Sequence, residues 1–378
     1  MHLSRRRLLQ QTAMLAAFST VDPLAAAVGK GMPTWYDKAI VINGLGSFSD
    51  PYGAEEDILV SSRARSELLA TGVTSVNMTV GGVGNDPDVF SQTEESIGQL
   101  NKVILDNPDF LIHVKSTADI RHAKANGQIA LIYGTQDTSM VGNQLDRIEA
   151  FRQQGVRIMQ LTYNLRNLCG DGALEPANAG LSRLGHAMIE GIEAANVLLD
   201  LSHGGQRTIA QAIAVAKRPM SISHTGCRSL HDNPRNVYDA ELRALADKGG
   251  VAGIYFMPFL TADSKPSGED LVRHIEHAAN VCGEDHVSLG TDGDLLPMEI
   301  SEETWKRARE MHEMRSSRGI NAPGEGPDIL TIVHDYNSLD RFQRLSQALA
   351  ARGWTTTRLE KLFGGNLMRL YDETWSNE

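Results

Sequence analysis

Cysteine is scarce in this sequence: Cys169, Cys227 and Cys282 are the three in 378 residues. An odd, widely spaced trio builds no disulfide framework and matches neither a zinc ribbon nor a C-x-x-C pair. One bridge between two of them is compatible with an oxidising compartment. Basic residues are outnumbered, 36 Lys and Arg against 47 Asp and Glu, for a net charge of −11. A nucleic-acid binder wants a basic stripe, so that class is excluded. The acidic balance favours solubility and is silent on fold. Past the first thirty residues no run approaches the ~20 apolar residues of a membrane-spanning helix. Repeats of the ~20–50-residue kind and low-complexity tracts are also missing.

The beginning of the chain differs from the rest. Ser4-Arg5-Arg6-Arg7-Leu8-Leu9 leads into a short apolar run from Thr12 to Thr20, and Ala25-Ala26-Ala27 supplies small residues for cleavage. This is the layout of a secretory signal with the paired arginines of the twin-arginine type. Residues 1–27 are therefore expected to be a leader, 28–378 a single domain, and the compartment periplasmic or extracellular. Replacing Arg5 and Arg6 by Lys should leave a fused reporter in the cytoplasm; unchanged export in a fractionation assay would refute a twin-arginine leader.

From residue 39 onward, β-rich apolar runs alternate with helical patterns. Eight stretches read as strands: 39–44, 73–80, 129–135, 156–163, 197–203, 220–224, 251–257 and 286–292. Most are continuously apolar, as in parallel strands covered on both faces. Eight strands alternating with helices give an α/β protein of the (β/α)8, or TIM, barrel type. A doubly wound sheet would want G-x-G-x-x-G after its first strand, where the chain has Asn43-Gly44-Leu45-Gly46-Ser47. The last ~40 residues read as two helical segments against the barrel exterior, the usual place for helices in this fold.

Active sites of such barrels sit at the C-terminal ends of the strands. The fifth strand ends Asp200-Leu201-Ser202-His203, the sixth Ser221-Ile222-Ser223-His224, and the eighth Gly290-Thr291-Asp292. Two imidazoles and a carboxylate at one mouth make a plausible zinc site, which needs three protein ligands and a place for water. A lone strand-end His is more often just a satisfied polar residue; two with a strand-end Asp are harder to dismiss.

Several motifs carry a more specific signal. Met159-Gln160-Leu161-Thr162-Tyr163-Asn164, Gly170-Asp171-Gly172, Asp200-Leu201-Ser202-His203, Ile222-Ser223-His224-Thr225, Pro234-Arg235-Asn236-Val237, Gly290-Thr291-Asp292 and Gly364-Gly365-Asn366 follow one another in order. In these the chain resembles the renal, or membrane, dipeptidase family, peptidase family M19, from about residue 38 to 371. The resemblance implies a metal-dependent hydrolase of the TIM-barrel type that cleaves dipeptides at a binuclear zinc centre, often as a homodimer. It implies that His203 and His224 are the ligands of one zinc. Asp292 then binds the other metal and handles the catalytic proton, while Arg235 grips the substrate carboxylate. The alternative for Arg235 is a surface salt bridge to Asp232 or Asp239. Tyr163 and Asn164 are expected to face the substrate.

The departures from the family pattern are as informative. Its His-x-Asp metal pair at the end of the first strand is replaced by Leu45 and Ser47. Its bridging Glu is Gln136, with Asp137 next to it as an unpromising substitute. A further His is replaced by Tyr163, which suits either an oxyanion donor or core packing. One metal loses its ligands and the other keeps its imidazoles, so one Zn2+ rather than two is expected, on His203, His224, Gln136 and Asp292. A second reading stays open: a dipeptidase-like binding protein or periplasmic tailoring enzyme that no longer hydrolyses peptides.

Overall fold

The computed structural model describes residues 35–53, 59–84 and 87–375. The expected leader lies outside them. Ten parallel strands are present among the described residues: β1 (Ile42–Ser47), β2 (Ser75–Thr79), β3 (Leu111–His113), β4 (Ile129–Thr135), β5 (Val156–Gln160), β6 (Leu198–Asp200), β7 (Ser221–Thr225), β8 (Val251–Ile254), β9 (Val287–Leu289) and β10 (Gly293–Asp294). Helices lie between most of them, and each of the eight expected strands has a counterpart. The sheet order is β10-β1-β2-β4-β5-β6-β7-β8-β9. β9 and β10 are one strand interrupted at residues 290–292. The first half pairs with β8 and the second with β1. Asp292 N–H donates to the Leu45 carbonyl at 2.9 Å and Leu295 N–H to that of Ser47 at 2.8 Å, so the last strand meets the first. This is the TIM-barrel architecture expected from the sequence.

Two features differ from expectation. β3 is an extra strand that fills the N-terminal half of β4's edge, pairing with residues 129–131, before β5 takes over at Tyr133. The end of the chain does not simply lie outside. Along β4, Leu131 and Tyr133 belong to the main core, which also holds Ile148 and Phe151 of an outer helix, whereas Ala130 and Ile132 belong to a second, smaller one. The latter two, with Ile42, Ile158, Leu198 and Val251, cluster with Leu367, Leu370 and Tyr371 of the helix Asn366–Trp375. These strand residues sit early in their strands, so the final helix closes the end of the barrel opposite the strand C-termini. Period-2 alternation along the strands and a 3.6-residue stripe on that helix produce the second core.

The strand C-termini are shaped by local irregularities. In β7 the register against β8 shifts between Ile222 and Thr225, a bulge that carries Ser223 inward. Gly253 and Gly290 make room for it, since a Cβ at either would come within 2.0 Å of the Ser223 carbonyl oxygen. His203 (φ 62°) and Asp292 (φ 57°) both adopt left-handed backbone. For residues with a Cβ that conformation costs on the order of 1–3 kcal/mol and recurs at functional sites. Asn43 fixes the last strand near Asp292: its amide accepts from Thr291 N–H (2.8 Å) and donates to Thr291 Oγ1 (2.7 Å).

Candidate active site

Above the strand C-termini a cavity of about 210 Å³ is enclosed on one side by the barrel and on the other by the segment after β10. That segment comprises the helix Glu302–Ser317 and the loop 318–337. Hydrogen bonds to the barrel loops hold it down as a lid: Asn164 Nδ2 to the Ile320 carbonyl (2.7 Å) and Asn233 Nδ2 to that of Pro323 (2.7 Å). Gln136, Tyr163, His203, Arg235 and Asp292 line the cavity. His224 lies beside them, its ring centroid 4.8 Å from that of His203.

The two imidazoles are fixed by their surroundings. The Asn164 amide donates to the lid, so its Oδ1 accepts from His203 Nδ1–H at 2.6 Å. On the other ring, Ser223 Oγ donates to Asp200 Oδ2 (2.5 Å) and therefore accepts from His224 Nδ1–H (2.8 Å). Asp200 is fully buried, and burial pushes its carboxyl up while bonds from Ser223 and Ser202 hold it down. Both histidines thus carry the proton on Nδ1 and present a bare Nε2. Burial first, and then Arg235, drives both pKa values well below the usual histidine range, so both rings are neutral. His203 Nε2 is buried without a partner. His224 Nε2 has only the Gln136 amide, 3.4 Å away. Neutral imidazoles anchored through the far nitrogen are the arrangement found around bound metals.

A binuclear centre does not fit these residues. Leu45 and Ser47 offer no ligand, and Ser47 instead donates to Asp294. Asp137 is spoken for, accepting from Gly84 N, Ser139 N, Ser139 Oγ and Asn167 Nδ2. Among the described residues no group of three or more His, Cys, Asp or Glu is gathered closely enough to hold a metal. His203, His224 and Gln136 lie beside one another at this end of the barrel.

Asp292 is partly exposed at the cavity wall, and desolvation raises its pKa to about 6 despite the opposing pull of Arg235 and Arg315. Arg235 is buried, with Nη2 unengaged. The expected alternative for it is absent: Asp232 pairs with Arg228, and Asp239 with His277 and Arg243. Asn164, expected at the substrate, lies fully buried with both ends of its amide in use, which makes it a support for His203. The Tyr163 ring stacks on His203 with centroids 4.1 Å apart.

Sequence reasoning missed the lid's contribution. Arg315 donates from Nε and Nη2 to both oxygens of Glu325 (2.6 and 2.8 Å) and from Nη1 to the Tyr163 hydroxyl (3.0 Å). The three cysteines are buried and unpaired. Among the described residues no helix is long and apolar enough to cross a membrane.

Comparison with known proteins points in one direction. The sequence model of the membrane dipeptidase family (peptidase family M19) matches residues 59–324. A dipeptidase of Claviceps purpurea is 26% identical over 285 residues, covering 74% of this chain and 59% of the relative, so the match spans about six-tenths of that protein. A crystal structure described as an amidohydrolase from Pseudomonas aeruginosa superposes with a TM-score of 0.77 at 29% identity, covering 90% of this chain and 98% of that one. A metallopeptidase from Rhodobacter sphaeroides, liganded with a phosphinate mimic of the dipeptide L-Ala-D-Ala, gives a TM-score of 0.71. At 16% identity, over 89% of this chain and all of that one, it speaks to the fold alone.

Proposed function

This chain belongs to the membrane dipeptidase family, peptidase family M19, and from that premise we propose that it is an exported hydrolase cleaving the amide bond of a dipeptide or similar small molecule with a free carboxylate. The observation that carries this reading is the composition of one cavity. It is lined by the neutral imidazole of His203, whose Nε2 is buried without a partner and beside which His224 lies, by a half-buried carboxyl with a raised pKa, and by a buried guanidinium with an unengaged nitrogen. Such a convergence of perturbed groups in a cleft marks chemistry more than packing.

Each group has a task. Arg235 offers its planar fork to both oxygens of the substrate carboxylate. His203 and His224, with Gln136 beside them, would hold one divalent ion. A borderline ion such as zinc, bound there, acidifies water and polarises a carbonyl. Asp292 takes the proton from the attacking water and returns it to the leaving amine; a pKa near working pH suits both transfers. Asn164 and Ser223 keep the imidazoles in their tautomers, and the lid excludes bulk water.

The test is turnover of a dipeptide panel alongside the same peptides amidated at the C-terminus. Free-acid dipeptides should be cleaved and amidated ones spared. Arg235→Ala should raise KM and lower kcat/KM roughly 10- to 100-fold, the weight of a buried charged hydrogen bond. Arg235→Lys should recover little, because an ammonium lacks the fork. Equal cleavage of amidated peptides would remove Arg235 from this role, and no turnover of any peptide would refute the hydrolase.

A further inference from the structure

The hydroxyl of Tyr163 is held in an unusual way. Its oxygen accepts from Arg315 Nη1 at 3.0 Å, and the hydroxyl donates to no protein group among the described residues. The guanidinium is itself immobilised. Both Glu325 oxygens take its Nε and Nη2, and the Ile320 carbonyl takes Nη2 as well. With a cation donating into the phenol oxygen, the phenol proton is directed away from Arg315. Tyr163 lines the cavity, and its ring lies flat on His203, so hydroxyl and imidazole share one wall. A packing role alone asks nothing of the hydroxyl, and a lid arginine whose only task was to close the cavity would be satisfied by Glu325.

We propose that Tyr163 is a catalytic residue that donates its O–H to the oxyanion formed at the scissile carbonyl, and that Arg315, clamped by Glu325, is the positioning residue that aims and polarises it. The proposal rests on the amide-hydrolase reading. In the addition step, the water oxygen bonds to the carbonyl carbon, the C=O π pair moves onto oxygen, and the water proton passes to Asp292. Tyr163 keeps its proton throughout, lending a hydrogen bond that strengthens as charge builds on the oxygen. In collapse the lone pair re-forms C=O, the C–N bond breaks, and Asp292 returns the proton to the amine. A donor set against developing charge raises kcat more than it lowers KM. Its polarisation by a neighbouring cation makes the donor stronger. Because Arg315 belongs to the lid, the donor is complete only when the lid is seated, which couples closure to chemistry.

The experiment compares wild type, Tyr163→Phe, Arg315→Met, Arg315→Lys and the Phe/Met double variant. The readouts are kcat, KM and affinity for a phosphinate dipeptide mimic, whose anionic oxygens stand in for the oxyanion. Tyr163→Phe retains the ring stack on His203 and should lower kcat about 10- to 100-fold with KM within about threefold. Phosphinate binding should weaken by a similar factor. Arg315→Met should lose part of the same factor, Arg315→Lys should recover some of it, and the double variant should be no worse than Tyr163→Phe alone. Tyr163→Phe with wild-type kcat and phosphinate affinity would overturn the proposal, as would losses that multiply in the double variant. A wild type that neither turns over peptides nor binds the phosphinate would instead refute the hydrolase reading, and this proposal with it.

Discussion

Asp292→Asn should lower kcat about 10²- to 10⁴-fold, the range for losing a positioned acid–base group. The amide keeps the shape of the carboxyl but cannot carry the proton between water and the leaving amine. The same residue should set the acid limb of the pH–rate profile. Its pKa is raised to about 6 by burial, and the working form is the carboxylate. Activity is therefore present above that value and lost as pH falls through it. The sign for stability is the reverse. The folded state holds this proton more tightly than the unfolded chain does. The group's contribution is greatest below the ordinary carboxylate pKa of ~4 and is lost as pH rises through about 6. At pH 7 the Asn variant should thus melt no lower than wild type while being nearly inactive. A profile flat down to pH 4.5, or an Asn variant retaining a tenth of the activity, would contradict the assignment.

His203→Ala and His224→Ala should each abolish both metal retention and turnover, with kcat/KM falling at least ~10³-fold, because neither remaining imidazole can hold an ion alone. Their supports should matter less but measurably. Asn164→Ala and Ser223→Ala free the rings to take the wrong tautomer, and roughly 10- to 100-fold losses in metal affinity are expected. Calorimetric zinc titration of the apo variants checks this. An Asn164→Ala protein with wild-type affinity would mean that the 2.6 Å bond to His203 is incidental.

The barrel was legible because its strands are buried on both faces and so appear as uninterrupted apolar runs; Ile129–Thr135 is such a run. β3 was not, since three residues carry no periodicity. The placement of the last helix was missed because an apolar stripe shows that a helix is covered without showing by what. At the site, residues at strand ends can be located by position, and the structure places His203, His224 and Asp292 at the same end of the barrel. The lid cannot be located in this way. Its helix reads Glu-Glu-Thr-Trp-Lys-Arg-Ala-Arg, a largely polar surface helix by composition. Arg315 meets Glu325 across a Gly/Pro-rich loop and Tyr163 from a distant part of the chain. Nothing in linear spacing announces such a triad. Asn164 was located correctly, but what its side chain contacts depends on the Ile320 carbonyl, which only the fold brings near it.

The proposed site holds one ion on an imidazole pair, where the resemblance to the family implies two. Elemental analysis of the purified protein, with and without zinc reconstitution, tests it most directly. One divalent ion per chain, lost in both His203→Ala and His224→Ala and kept in Tyr163→Phe, is the result expected here. Two ions per chain would show that Leu45 and Ser47 do not empty the other site, and no ion after reconstitution would show that the imidazole pair serves something other than a metal.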